Sequence, residues 1–254
     1  MQVTLLGTGT SGGVPVPTCR CAVCTSLDYR DKRLRTSVHL SVDGKSIVID
    51  TGPDFRQQAL RARIDSLDAV VFTHEHKDHT AGLDDIRPYN YVQGIKELAI
   101  YAHPRVLAQL SREFEYAFSE NRHPGIPILA TNEIDKEPFD VAGITFTPIE
   151  VIHYKLPVLG FRVHDFTYLT DCNFIAQEEL EKAKGSKILV LDALQQSPHL
   201  SHFTLQQAIE VAQEIGAEKT FFTHISHKMG LHREVEKLLP DNMYLGYDGL
   251  NFDL

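Results

Sequence analysis

The chain alternates short apolar runs with turn chemistry, a pattern that predicts many strands and few long helices. Residues 2–6 alternate in strand fashion and open into Gly7-Thr8-Gly9-Thr10-Ser11-Gly12-Gly13. Residues 37–42 and 46–50 read as strands joined by Asp43-Gly44-Lys45, where Asp-Gly marks a hairpin. Helical patterns cover 57–63, 82–91, 104–118, 177–184 and 204–215, the third with Pro104 in its first turn. Further strands are expected over 68–73, 98–101, 143–149, 158–163, 167–170, 187–192 and 219–223. Hairpins therefore dominate the first half, and strands mixed with helices the second. No repeat or low-complexity linker divides the chain, so one domain spanning 1–254 is expected.

Several polar residues sit where these strands end. Asp50, His74, Asp171, Asp192 and His224 each follow a β-like run directly. Polar groups gathered at strand ends make a shared cleft, the usual place for a ligand in layered α/β folds. The glycine-rich stretch after the first strand is not a phosphate-binding loop. It lacks the Gly-Lys-Ser/Thr ending, and Pro15 and Pro17 follow it instead of a helix. It reads as a tight turn passing close to the active site.

Composition narrows the partners. Asp and Glu outnumber Lys and Arg by 34 to 25, a formal net charge of −9, which repels a long nucleic acid over most of the surface. A small anionic substrate at a locally positive metal centre is still compatible with that charge. The N-terminus has no basic, apolar leader pattern, and the longest apolar runs, such as 188–191, are too short to span a bilayer. A cytoplasmic protein with no membrane partner is expected, and a homodimer is compatible with this reading.

Among 13 histidines, three fall in His74-Glu75-His76-Lys77-Asp78-His79. On a loop leaving a strand, these imidazoles and the Asp78 carboxylate can face two neighbouring ions, a donor set that suits zinc, manganese or iron with open catalytic positions. Cys19, Cys21 and Cys24 form Cys-x-Cys-x-x-Cys, three thiolates that need a fourth ligand to close a tetrahedral, structural zinc site. Crowded so closely, they suit metal binding in a reducing compartment better than disulfides.

His-x-His-x-Asp-His resembles the central motif of the metallo-β-lactamase-fold hydrolases. That resemblance implies an αββα four-layer sandwich, two mixed β-sheets flanked by helices. It calls for a mid-chain His after a strand, met by His153, then an Asp ending a later strand, met by Asp171, then a final His, met by His224. It implies one divalent ion (Mn2+ or Zn2+) on His74, His76 and His153, another on Asp78, His79 and His224, and Asp171 bridging them. The cysteines narrow the resemblance to cyclic-phosphate phosphodiesterases related to the phosphoribosyl cyclic phosphate hydrolase of phosphonate breakdown. In that branch His227 is the fourth ligand of a structural Zn2+ in a loop at about 14–36. The stretches Asp50-Thr51-Gly52-Pro53-Asp54-Phe55-Arg56 and Pro198-His199-Leu200-Ser201-His202-Phe203-Thr204 match as well.

The resemblance assigns catalysis to Asp78 and His202, the latter as a proton donor to the leaving alkoxide. A competing role for His202 is to cap the helix near Thr204, and His199 is its local rival. Asp54 and Arg56 are candidate substrate-phosphate contacts or merely a helix start. Asp192 is expected to orient a ligand imidazole, and Cys172 to be a buried small hydrophobe. His39, His103, His123, His164 and His232 are expected to be surface or locally hydrogen-bonded. The implied activity is phosphodiester hydrolysis on a small or cyclic ester such as a phosphoribosyl cyclic phosphate. The rivals are a tRNA 3′-processing endonuclease, for which no long basic arm is evident, and a non-catalytic metal-binding accessory protein of a cofactor pathway.

Overall fold

A computed structural model describes residues 1–94, 97–119 and 125–254. His123 lies outside the described residues. The strands are β1 (Gln2–Gly7), β2 (Ser37–Val42), β3 (Lys45–Ile49), β4 (Ala69–Val71), β5 (Leu98–Ala102), β6 (Leu129–Glu133), β7 (Phe139–Val141) and β8 (Ile144–His153). They continue with β9 (Leu156–Val163), β10 (Phe166–Leu169), β11 (Phe174–Ile175), β12 (Ile188–Asp192), β13 (Lys219–Thr223), β14 (Met243–Leu245) and β15 (Asn251–Asp253). One sheet runs β15-β1-β2-β3-β4-β5-β6 and the other β11-β8-β9-β10-β12-β13-β14, with β7 paired to β8. Both are mixed: hairpin partners such as β2 and β3 are antiparallel, whereas β3 to β6 and β10, β12, β13 and β14 run parallel.

The two-residue period of each strand explains the layers. Leu5, Ile47, Ile49 and Val71 face one way and pack with Phe146, Phe161, Val163, Tyr168 and Val190 of the second sheet in a core between the sheets. Their sequence neighbours Leu6, Val48, Val70 and Phe72 face the other way and pack under helices with Phe55, Ala59, Val106 and Leu110. On the far side of the second sheet, Leu169, Leu189 and Leu191 pack with Leu180, Ala208, Ala212 and Ile215. The result is the expected αββα sandwich.

The main departures from the sequence reading are local. The expected helix over 104–118 is Pro104–Glu113 and then Glu115–Phe118, interrupted at Phe114, whose φ of −116° and ψ of 41° leave the helical region. The helix over 82–91 is a 3-10 turn, Leu83–Ile86, followed by Arg87–Val92. Pro88 lacks an amide hydrogen and fits only a first turn, so it sets the start of the second piece. The helix near 57–63 starts earlier, at Phe55, and ends at Ala62. Short strands β6, β7, β11, β14 and β15 were not legible in the sequence pattern. They exist through pairing with distant partners, β15 with β1 for example.

The glycine-rich turn is held from several sides. The Ile225 amide donates to the Thr8 carbonyl at 2.8 Å, and the Thr10 amide donates to the Ile225 carbonyl at 3.2 Å. A Cβ on Gly9 would stand 2.9 Å from the carbonyl oxygens of Arg33 and Leu34, so only glycine lets these backbones approach. Buried Arg33 donates to the Thr8 hydroxyl at 2.8 Å, and Asp248 accepts from the amides of Thr8 and Leu34 at 2.9 and 2.7 Å. The turn therefore braces the segment that begins with His224.

Candidate metal centre

Parallel strands β3, β4, β10, β12 and β13 end near one another, and the loops leaving them carry the polar residues singled out above. Asp50, Asp171 and His224 adopt left-handed backbone conformations, with φ of 63°, 53° and 58°. Such a conformation costs a non-glycine residue roughly 1–2 kcal/mol. It turns the chain sharply off the strand, and surrounding structure must hold it there.

The donors form overlapping groups whose ligand atoms lie within 4.8 Å of one another: Asp78, His79, Asp171 and His224; His74, His76 and Asp171; and His153, Asp171 and His202. Asp171 is common to all three. One of its oxygens lies 3.3 Å from His224 Nε2 and 3.9 Å from His74 Nε2, and the other 3.1 Å from His79 Nε2. The structure brings the donors singled out in the sequence close together, with one difference in grouping. His153 groups with Asp171 and His202 rather than in one tight set with His74 and His76, although its ring centroid is 5.1 Å from that of His76.

Hydrogen bonds fix which imidazole nitrogen faces the centre. His79 Nδ1 donates to Asp50 Oδ2 at 2.7 Å. The Thr73 hydroxyl gives its one proton to Asp50 at 2.8 Å, so it accepts from His74 Nδ1 at 3.0 Å. His153 Nδ1 donates to the Ser201 carbonyl at 2.9 Å. Each bond occupies Nδ1 and turns Nε2 toward the centre, the orientation a metal ligand requires. The Nε2 atoms of His74, His79 and His224 are buried with no hydrogen-bond partner. Buried polar atoms are rarely left so, and several converging on one carboxylate fit a bound cation.

Electrostatics agree. Burial opposes charge on Asp171, yet the His224, His79 and His74 imidazoles hold its carboxyl well below the usual range. Burial and neighbouring His79 push His74 well below its usual value, so it is neutral and able to coordinate. Burial also opposes charge on His79, but Asp171, Asp78 and Asp50 outweigh it and keep the ring's pKa well above normal. This excess of negative charge around His79 is what a cation would neutralise.

His202 stands against the cluster, its ring centroid 4.5 Å from His153 and 4.6 Å from His224. Its Nδ1 donates to Asp192 Oδ1 at 3.0 Å. Burial opposes its charge, but the Asp192 carboxylate prevails and raises its pKa to about 9. The capping alternative does not hold. Thr204 caps the helix Leu205–Ile215 itself, in a reciprocal pair with Gln207. His199 is exposed and bonds to Ser201, with its ring 5.3 Å from His202. Asp192 also accepts from the amides of Asp171 and Phe203, each at 3.2 Å, whereas His224 Nδ1, 3.6 Å away, has no hydrogen-bond partner; the imidazole that Asp192 orients is therefore His202.

Asp54 and Arg56 are not brought to this cluster. Asp54 accepts from the Arg35 amide at 2.9 Å and from its guanidinium at 3.2–3.3 Å. Arg56 is exposed and lines a separate hollow of about 660 Å3 with Ala59, Leu60, Arg63, Arg87 and Tyr89. Cys172 is buried in the core as expected. His39 bonds Ser46 at 2.8 Å, His103 accepts from the Arg105 amide at 3.2 Å, and buried His232 faces Arg33 at 3.1 Å. Exposed His164 sits in the turn before β10. The orienting groups Thr73, Asp50 and Ser201 were assigned no role from sequence. Position at a strand end was the only available signal, and for Asp50 alone.

Cys19, Cys21, Cys24 and His227 form a second group of donors within 4.8 Å of one another. His227 Nδ1 lies 3.2 Å from Cys19 Sγ and 3.5 Å from Cys21 Sγ. The Cys24 amide and His227 pull the Cys21 thiol down to about 6, whereas burial pushes Cys24 up to about 11. Three thiolates and an imidazole fit a closed tetrahedral site.

Four similarities to known proteins bear on these geometries. The family model described as a beta-lactamase superfamily domain matches residues 45–225. A solved structure described as a new diphosphatase from the PhnP family is 40% identical, with a TM-score of 0.93, and the match covers 99% of this chain and 96% of that one. An octanoyltransferase of Porphyromonas gingivalis is 45% identical over 253 residues, 98% of this chain but 51% of that protein, so the chain spans about half that relative's length. Zn2+-bound PqqB from Methylobacterium extorquens shares the fold, with a TM-score of 0.80 at 20% identity over the whole of both chains. With the donors, the four layers and these matches in agreement, the chain belongs to the metallo-β-lactamase superfamily and, within it, to the PhnP family.

Proposed function

We propose that this chain is a two-metal hydrolase that cleaves phosphodiester bonds in small or cyclic phosphate esters. One observation carries the reading: unpartnered nitrogens of His74, His79 and His224 converge on Asp171, beside a His202 ring fixed by Asp192. Two divalent cations (Mn2+ or Zn2+) in such a centre supply a water of lowered pKa and neutralise charge on phosphoryl oxygens. On this reading His74, His76 and His153 would hold one cation and Asp78, His79 and His224 the other, with Asp171 available to both.

His202 acts on the leaving group. Its Nδ1 proton is committed to Asp192, and the raised pKa keeps a second proton on Nε2 at neutral pH. That proton passes to the departing alkoxide, whose conjugate acid is far weaker than an imidazolium. The 40%-identical structure called a diphosphatase fits the same chemical class, because both bonds join an anionic phosphorus to an oxygen leaving group. Octanoyl transfer is not carried over, since this chain spans about half of the protein that bears that name. The cysteine cluster with His227 is read as a structural Zn2+ site that staples the N-terminal loop to the His224 segment.

The test is turnover of bis(p-nitrophenyl) phosphate with added Mn2+, beside the same assay on Asp171→Ala. Metal-dependent turnover that the variant lacks is expected, and an inert wild type overturns the proposal. Robust processing of precursor tRNA with inert cyclic phosphates would replace it with a tRNA 3′-processing endonuclease.

A further inference from the structure

Beside the ligand cluster lies a hollow of about 460 Å3, lined among others by Glu75, His76, His153, Tyr154, Lys155 and Leu200. That is within the size range of small-molecule sites. Because His76 and His153 belong to both cluster and hollow, the hollow opens directly beside the cluster. Two large apolar side chains stand exposed on its wall, Tyr154 at 49% and Leu200 at 69%. They come from elements far apart in sequence, yet each is joined directly to one end of the hydrogen bond between His153 and the Ser201 carbonyl. The wall is therefore in register with a ligand imidazole.

Tyr154 is held in place as well. Its φ is +61°, and its amide donates to Asn173 Oδ1 at 2.7 Å. The Lys155 ammonium lies 5.2 Å from the Tyr154 ring centroid. The acidic wall residue, Glu75, is paired with Arg105 at 2.8 Å, so its charge is offset on the wall that also carries Lys155. An aromatic face and a leucine open to water beside a reaction centre are covered most effectively by a flat ring. An ammonium at that spot favours a further anionic group on the same substrate.

We propose that Tyr154, Leu200 and Lys155 are specificity-determining residues, selecting phosphoric esters that carry a planar heteroaromatic ring, and next to it a second anionic group, over ringless esters. This rests on the phosphoester reading above. Three probes share one five-membered cyclic phosphodiester: glycerol 1,2-cyclic phosphate, adenosine 2′,3′-cyclic phosphate, and the latter with a 5′-phosphate. In the metal-loaded full chain, Tyr154→Ala with Leu200→Ala should raise KM for both adenosine probes about tenfold, as expected for a lost stacking contact. Their kcat and all parameters for the glycerol probe should stay within about twofold. Lys155→Gln should raise KM chiefly for the 5′-phosphorylated probe. Equal changes on ringed and ringless probes, or no change on either, overturn the inference. So does a wild type that hydrolyses the glycerol probe but neither adenosine probe, an outcome that leaves the phosphoester reading intact. A wild type inert to all three but active on bis(p-nitrophenyl) phosphate overturns the inference alone, and one inert to all four overturns both.

Discussion

In the histidine–carboxylate centre the donors come from strand ends and loops spread between residues 74 and 224, and His74, His79, Asp171 and His224 are buried. In the cysteine cluster three donors come from residues 19–24, only Cys24 of the four is buried, and the fourth reaches in from residue 227. The first set is aimed by other protein groups: Asp50 and Thr73 hold imidazoles from behind, as does the Ser201 carbonyl, and exposed His76 faces an open hollow. The second is closed on itself, with the Cys24 amide donating to Cys21 Sγ at 3.4 Å. A centre that does chemistry needs fixed donors and an open side, whereas one that holds a loop needs only completion. His224 and His227 share one segment, so the two clusters are mechanically joined through Ile225 and its bonds to Thr8 and Thr10.

That contrast can be broken by experiment. The largest effect is expected for Asp171→Ala, which removes the carboxylate common to three donor groups and should lower kcat by at least about 10³-fold. Metal content measured alongside should fall, and a variant that keeps both metals and full turnover would remove Asp171 from the centre. His202→Ala comes next, with kcat down about 10²–10⁴-fold and catalytic metal content unchanged. A loss of metal instead would make His202 a ligand rather than a proton donor.

The wild-type pH profile sharpens the same point. His202 has a raised pKa, so its proton is present below that pKa and lost as pH rises through it. Activity should therefore fall on the alkaline side at or below about pH 9, because nearby cations can only lower the value. The limb should vanish in His202→Ala.

Asp50→Asn should act more mildly, weakening affinity for the metal at His79 by about 10–100-fold, with turnover restored by excess metal. Absence of rescue would mean that Asp50 supports the fold rather than the ligand. The smallest effect on chemistry is expected for Cys21→Ser. It should lose one chelator-resistant zinc and lower Tm, by roughly 2–4 °C for each kcal/mol lost, with a several-fold decrease in kcat through the His224 segment. A full complement of zinc in this variant would remove the structural site.

Much of this was legible in the chain because the signals are local. His74 to His79 follow one apolar strand, Cys19 to Cys24 lie in one short loop, and continuous apolar runs such as 188–191 mark buried strands. The order of His153, Asp171 and His224 completed the ligand set through resemblance. The roles of Asp54 and Arg56 were not legible, because proximity in sequence to Asp50 says nothing about direction. One faces Arg35 and the other a different hollow.

What the sequence by itself determined is the run of strands and helices, the His74 to His79 motif and the three cysteines, since periodicity and short motifs act over a few residues; the αββα fold and the distant donors His153, Asp171, His224 and His227 came through resemblance. Only the tertiary structure decided which imidazole nitrogen faces inward, that His202 answers to Asp192 while Thr204 caps the helix, and that Tyr154 and Leu200 flank one hollow. Those outcomes depend on left-handed turns at Asp50, Asp171 and His224 and on hydrogen bonds such as His153 to Ser201 across 48 residues. Such contacts form only after both sheets are paired and packed, and no local pattern encodes them.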